Sequence, residues 1–448
     1  MNSSLGTRPS PAEIRSLFSR RSVRRSWLEV EAALAETQGE LGLIPPEAAV
    51  EIRSKATFEA IDEDAFAADV ERTRAPIVSL VRALAAACSG EHGGYVHWGA
   101  TTQNVIQTGR TLLMKKAHEA FLLRFDDILA ALADMAEREA ETITVARTNR
   151  RQALPVTFGF RVAAWIEEWL RFRTRFAEAA PRIFCSQWGG AVGAMHAVGA
   201  AGPELNRRLS ERLGLGHQIV PSRAAQDGTA EYVLLLALFS ATCGKIAQNF
   251  YSMMSDEVDE AFEAMGSEVI GSSTMPHKVN PKTVVEVIAL AARLRSHVQL
   301  ALDAMQPNHE GDAASSLMIA PMVDEVCPLA YELVDGMYAL VTSVRLRPER
   351  MRANLDRTGE HLASENLMMQ LAPVIGRTRA HDLVHHAVAR SIEVGAPLAD
   401  VLLGEGDLPG DVSEDLIREA LDPAAYTGLS VAMARGMAER AREAVRQP

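Results

Sequence analysis

The stretch "GSSTMPHKVNP" (271–281) gathers small hydroxyls, a lysine, an asparagine and two prolines between long Ala- and Leu-rich segments. Proline breaks helices and serine competes with them, so these residues form a polar loop between two strong helices. Three more polar islands share that character: "VHWGATTQNVIQTG" (96–109), "ARTNRRQALPVTFG" (146–159) and "NHEGDAASS" (308–316). Each reads as lying beside a helix terminus. A helix N-terminus presents free N–H groups and the positive end of a dipole. Thr101, Thr102, Asn104 and Thr148 add side-chain donors there, which suits the binding of small carboxylates. The simpler alternative is capping, in which threonine and asparagine merely start helices. A shared site requires the islands to converge in space, which spacing alone does not show.

The elements that must position these islands are helical. Phe121, Phe125, Ile128, Leu129, Leu132 and Met135 form one apolar stripe at helical spacing, and Trp27, Val30 and Leu34 form a shorter one. Residues 232–239 are apolar on every face, which places that helix at the centre of a bundle or between subunits. Residues 283–305 read as another long helix, ended by a polar break at 306–316. Strand signals are scarce, with no βαβ alternation, no P-loop and no GxGxxG after a strand. The glycine-rich "WGGAVGAM" (188–195) reads as a turn between helices. The expected fold is all-α in three parts: an N-terminal helical domain (1–105), a long central helical bundle carrying the 271–281 loop (106–355), and a helical C-terminal domain (356–448).

Composition sets the outer limits. The 448 residues are 48% apolar and 23% charged, an ordinary globular balance with room for more than one domain. A net charge of −12 argues against a nucleic-acid surface. The cluster Arg20, Arg21, Arg24 and Arg25 reads as a solvated helix face. Cys88, Cys185, Cys243 and Cys327 are far apart and form no CxxC pair, which speaks against zinc or a disulfide framework and for a reducing cytoplasm. No apolar leader opens the sequence, and the longest apolar run, Val233–Phe239, is too short to cross a bilayer. Neither a metal, a membrane nor a nucleic acid is expected as a partner.

The islands also carry a family resemblance. "GSSTMPHKVNP" resembles the signature loop of the fumarase/aspartase superfamily, Gly-Ser-x-x-Met-x-x-Lys-x-Asn. "HWGATTQN" and "RTNRRQALPVTFG" resemble that family's first and second characteristic stretches, and "WLEVEAALAETQGELGLIP" (27–45) its first helix. "LDRTGEHLASENLMMQLAPVIGRTRAHDLVHHA" (355–387) and "LDPAAYTGLS" (421–430) resemble the C-terminal domain of the branch holding adenylosuccinate lyase and bacterial 3-carboxy-cis,cis-muconate cycloisomerase. The resemblance implies an all-α homotetramer with a twenty-helix core, each active site built from three subunits. It implies β-elimination without a cofactor: a base removes a proton beside a carboxylate, giving an aci-carboxylate, and an acid assists the leaving group. Position by position, Ser272 matches the base, and Lys278 and Asn280 match ligands of the substrate carboxylates. Lys278 would also stabilise the dianionic intermediate. Thr101, Thr102 and Thr148 fall where the family holds its substrate, with Asn104, Asn149 and Met275 counted among the binding positions. An alcohol is a very weak acid, so Ser272 needs a strong local field, for which Lys278 and the loop N–H groups are the sources. The loop is expected to close over the substrate and exclude water.

Several positions depart from the family pattern. The second stretch usually reads Arg-Thr-His, with the histidine assigned to acid catalysis; here that position is Asn149. The glutamate that usually pairs with it falls at Val285, and Glu286, one residue on, points about 100° away on a helix. "RAAQD" (223–227) has Gln226, and "HEGD" (309–312) has Gly311, where arginines are usual. Those losses argue against the large phosphorylated substrate of adenylosuccinate lyase. A positioned acid contributes about 10²- to 10⁴-fold. Its loss is tolerable where the leaving group is stable as an anion, or where another acid stands in. His97 and His309 are the candidates, against the simpler reading of a lone histidine as structural. The expected activity is a lyase acting on a small succinate-type dicarboxylate by C–N or C–O cleavage, releasing fumarate or a relative. A cycloisomerase-like lactonising enzyme is the first alternative, and a non-catalytic structural paralogue the second.

Overall fold

The computed structural model describes residues 8–264, 274–275, 277–405, 408 and 412–446. Helices build nearly all of it, and the strands of the described residues form only two two-stranded sheets. The elements that bear on function are α1 (Arg20–Glu40), α2 (Thr102–Arg138), β1 (Ile143–Thr148), β2 (Arg151–Thr157), α3 (Phe158–Ile183), α4 (Asp227–Met253), β3 (Ala261–Glu263), α5 (Thr283–Arg295), α6 (Ala313–Ser343) and β4 (Val344–Leu346). The chain packs as two compact units made of discontinuous segments. The first comprises residues up to Phe125 with Phe172–Gly244 and Val287–Gly336; the second comprises Asp126–Arg171, Lys245–Glu286 and the chain from Met337 onward.

In the first unit, apolar periodicity dictates the core. Trp27, Val30 and Leu34 of α1 are buried, as are Phe121 and Phe125 of α2. Phe121 and Phe125 meet Phe176 and Phe239 with ring centroids 5.2 to 6.2 Å apart, mostly edge to face. His118 lies in the same cluster, its Nδ1 3.3 Å from the Tyr232 hydroxyl. Burial pushes the His118 ring down to about 4. Arg21 and Arg24 are not merely solvated: their guanidinium carbons lie 4.5 and 4.9 Å over the rings of Phe58 and Phe66, which favours cation–π contact. Residues 188–195 form the expected turn, with Gly190 and Gly193 at φ 77° and 89°.

One expectation about the helices needs correction. Residues 283–305 are not one helix: α5 stops at Arg295, and a separate helix runs over Val298–Asp303. The apolar run in α4 is not covered all round within one chain, because Leu238 is 54% exposed. The whole of α4, unlike its longest unbroken apolar run, is long and apolar enough to cross a bilayer; 67% of its most apolar stretch is buried in the fold.

The second unit contains a β-hairpin at residues 143–157, which leads directly into the N-terminus of α3 at Phe158, so the island does lie beside a helix terminus. Thr148 pairs with Arg151, leaving Asn149 and Arg150 as a two-residue turn with φ of 48° and 63°. Positive φ at both central residues is the type I′ pattern, which matches the twist of the flanking strands and favours asparagine at the first position. Arg150 holds the left-handed conformation without the freedom of glycine, at about 1–2 kcal/mol. Behind the hairpin, Phe158 and Trp165 pack with Phe250, and farther along the chain Leu367, Leu371, Val384, Leu402 and Ile417 share an apolar cluster.

Candidate active site

In the first unit, the first polar island folds back onto α1. His97, at φ 62°, places Nδ1 2.5 Å from Oε1 of Glu31. A carboxylate only accepts hydrogen bonds, so Nδ1–H donates and Nε2 is left to carry or take a proton. The Glu31 side chain is 1% exposed, and its Oε2 is buried with no partner among the described residues.

Thr101 precedes α2, and its N–H donates to Asn104 Oδ1 at 3.2 Å, half of a capping box. Asn104 itself is buried and committed to the fold: Oδ1 also accepts from Gly190 N–H at 3.1 Å, and Nδ2 donates to the Gln187 carbonyl at 2.7 Å. Thr102 is half-buried in the first turn of α2. Gln103 ties this terminus to α6 through Ser316 Oγ at 3.2 Å. At the start of α6, His309 is exposed on a loop with φ 53°, while Asp312 accepts from the N–H groups of Ala314 and Asn308. Those N–H bonds hold the Asp312 carboxyl below its usual range, so this island is in large part capping chemistry.

In the second unit, Ser272 lies outside the described residues. Lys278 and Asn280 line a cleft of about 1410 Å³ together with Arg147, Arg150, Arg161 and Lys245. Met275 is exposed, and its carbonyl accepts the Lys278 N–H at 2.9 Å. Arg147 grips Glu260 with two bonds, of 3.0 and 2.5 Å. Arg161 is half-buried, and desolvation lowers its guanidinium despite the nearby Glu260. Arg147 is spent on Glu260 and Lys245 on Glu168, so Arg150, Arg161 and Lys278 face Asp256 and Glu257 across the cleft lining, a slight cationic excess suited to an anionic ligand. Thr148 and Asn149 stand exposed at the hairpin tip, and Val285 and Glu286 are exposed at the start of α5.

The stem of the signature loop is held by Glu263. This carboxylate, nearly buried at the end of β3, accepts the N–H groups of Lys282, Thr283 and Val284 at 2.9, 3.1 and 2.7 Å. It caps α5 and fixes the chain two residues beyond Asn280. Neither Glu31 nor Glu263 was singled out from the sequence. Glu31 left a signal there, because it is a charge on the buried stripe of Trp27, Val30 and Leu34 and so demands a partner. Glu263 left none, since its partners are backbone groups.

Comparison with known proteins shows what the chain resembles. A family model described as lyase matches residues 9–295, and one for the adenylosuccinate lyase C-terminus matches 361–436. The chain is 34% identical to an adenylosuccinate lyase of Methanocaldococcus jannaschii, covering 93% of this chain and 91% of the relative. It is 33% identical to an N-acetyl-S-(2-succino)cysteine lyase of Enterococcus italicus, covering 94% and 92%. The solved structure of a fumarate lyase from Mesorhizobium sp. BNC1 superposes with a TM-score of 0.88 at 32% identity, covering 96% and 97% of the two chains. That of a 3-carboxy-cis,cis-muconate lactonizing enzyme from Pseudomonas putida gives 0.85 at 28% identity, covering 97% and 98%.

Proposed function

The chain belongs to the fumarase/aspartase lyase family, and we propose that it catalyses β-elimination from a succinate-type dicarboxylate, releasing fumarate or a related unsaturated acid. The observation that carries this reading is the His97–Glu31 pair. Asn149 and Val285 take away the usual acid and its partner; a carboxylate-held imidazole in the first island supplies a proton donor in their place. Ser272 takes the proton beside one carboxylate, and the electron pair moves into that carboxylate. Lys278 and Asn280 stabilise the resulting dianion. Collapse of the dianion forms the C=C bond and expels the leaving group, which takes a proton from His97 Nε2.

Thr101, Thr102, Thr148 and Asn149 hold the substrate carboxylates, and Asn104 acts by fixing Thr101. The site is completed in a homotetramer by residues of three copies. Two features support that assembly: the exposed Leu238 within the apolar run of α4, and the hairpin tip that presents Thr148 and Asn149 outward. The bond broken is C–N, C–O or C–S. Sulfur enters because one relative is named for a succinocysteine and because a thiol of ordinary pKa about 8.5 leaves as an anion with little help.

Screening N-, O- and S-substituted succinates for fumarate release tests this directly. For N- and O-linked substrates, whose leaving groups need a proton, turnover that falls about 10²-fold or more in His97→Gln is the expected result, and turnover of those substrates that is indifferent to His97 removes the pair from the mechanism. Likeness to the lactonizing enzyme favours a second reading, a cycloisomerase. Consumption of 3-carboxy-cis,cis-muconate without fumarate release from any succinate would establish it instead.

A further inference from the structure

Gly311 leaves a space that a particular side chain has taken. A Cβ at Gly311 would lie 2.6 Å from Nε of Arg223 and 2.9 Å from its Cζ, so the guanidinium rests on the glycine itself. The Arg223 backbone is pinned from two directions, its carbonyl accepting the side-chain amides of Gln107 and Gln226 at 2.9 and 3.0 Å. Its head group is barely used. Nη1 donates to the Ala191 carbonyl at 3.2 Å, and no carboxylate pairs with it among the described residues. Several other arginines of the same unit are paired, among them Arg110 with Asp324, Arg124 with Asp335 and Arg182 with Glu231. A half-buried guanidinium with idle donors in a planar fork is matched to a carboxylate.

Its neighbours place it beside the first island. Ala191 follows Gly190, whose N–H binds Asn104, and Asn104 in turn receives the Thr101 N–H. We propose that Arg223 binds a carboxylate on the departing part of the substrate. Preferred substrates are then tricarboxylates, succinates whose nitrogen- or sulfur-linked group carries an acid of its own. This assignment rests on the elimination reading above, in which the two succinate carboxylates are already held by other residues. A single guanidinium suits a monoanionic carboxylate better than a phosphate dianion. Gly311 is part of the device, since any side chain there would push the guanidinium away.

Two thioether succinates, made from 3-mercaptopropionate and from 3-mercaptopropionamide, differ only in that acid and test the assignment. With wild-type protein, kcat/KM for the acid should exceed that for the amide by about 10- to 100-fold, the range of a charge-assisted pair. Arg223→Gln should erase the difference by raising KM for the acid alone. Gly311→Ala should do the same with Arg223 still present. A merely structural arginine would instead lower both activities together. Equal use of the two compounds by wild type, or a preference that survives both substitutions, overturns the assignment and leaves the elimination reading standing. Turnover of neither these compounds nor their N- and O-linked counterparts refutes the elimination reading, and the role of Arg223 with it.

Discussion

His97 Nδ1 lies 2.5 Å from Glu31 Oε1, across 66 residues of sequence, on a carboxylate that is almost completely buried. A buried carboxylate with one unpartnered oxygen is costly unless it is needed to hold something. Here it fixes the tautomer and the orientation of the imidazole.

Glu31→Gln should therefore lower kcat about 10²-fold while leaving KM nearly unchanged, because the imidazole loses its orienting charge and not its place. The double variant Glu31→Gln/His97→Gln should be little worse than His97→Gln alone, since the two act as one unit. Additive losses in steady-state kinetics would show that Glu31 does something else.

Glu263→Ala should cost roughly 2–5 kcal/mol in denaturant unfolding, because three backbone N–H groups at the start of α5 lose their acceptor together. Activity should fall as well, because Asn280 lies only two residues before that anchor. Glu263→Gln keeps a carbonyl oxygen and should recover part of both. An alanine variant as stable and as active as wild type would leave the stem clamp without a role.

The His118 ring titrates at about 4 in the fold, against an ordinary value of 6.5. Between those values the unfolded chain binds the proton and the folded chain does not, so stability falls as pH drops through that window. Above 6.5 this group contributes nothing to the pH dependence. The full difference is about 3 kcal/mol. Urea unfolding at about pH 7 and about pH 4.5 should show a smaller pH-dependent loss in His118→Gln than in wild type. Identical losses in the two proteins would mean that other groups govern acid destabilisation.

Much of the fold is legible in the sequence because long apolar stripes at helical spacing have few other uses. The stripe from Phe121 to Met135 is buried throughout, and the turn at 188–195 follows from its glycines. The hairpin was hidden because its turn is Asn-Arg, without the glycine that usually announces a type I′ turn, and because "RTNRRQ" is polar on both sides. The break after Arg295 has no proline or glycine to mark it. In the site, the loop lysine and asparagine and the threonines stood out as polar residues in an apolar chain. Glu31 and Arg223 did not, since each matters through a partner more than sixty residues away.

The most direct measurement is fumarate release from 2-substituted succinates by wild type and Ser272→Ala side by side. Removal of the base should leave binding largely intact and lower kcat about 10³-fold or more, within the range of a lost general base and its field. Undiminished release by Ser272→Ala would contradict proton abstraction by this loop. Failure of the wild-type protein to release fumarate from any N-, O- or S-substituted succinate would contradict elimination itself.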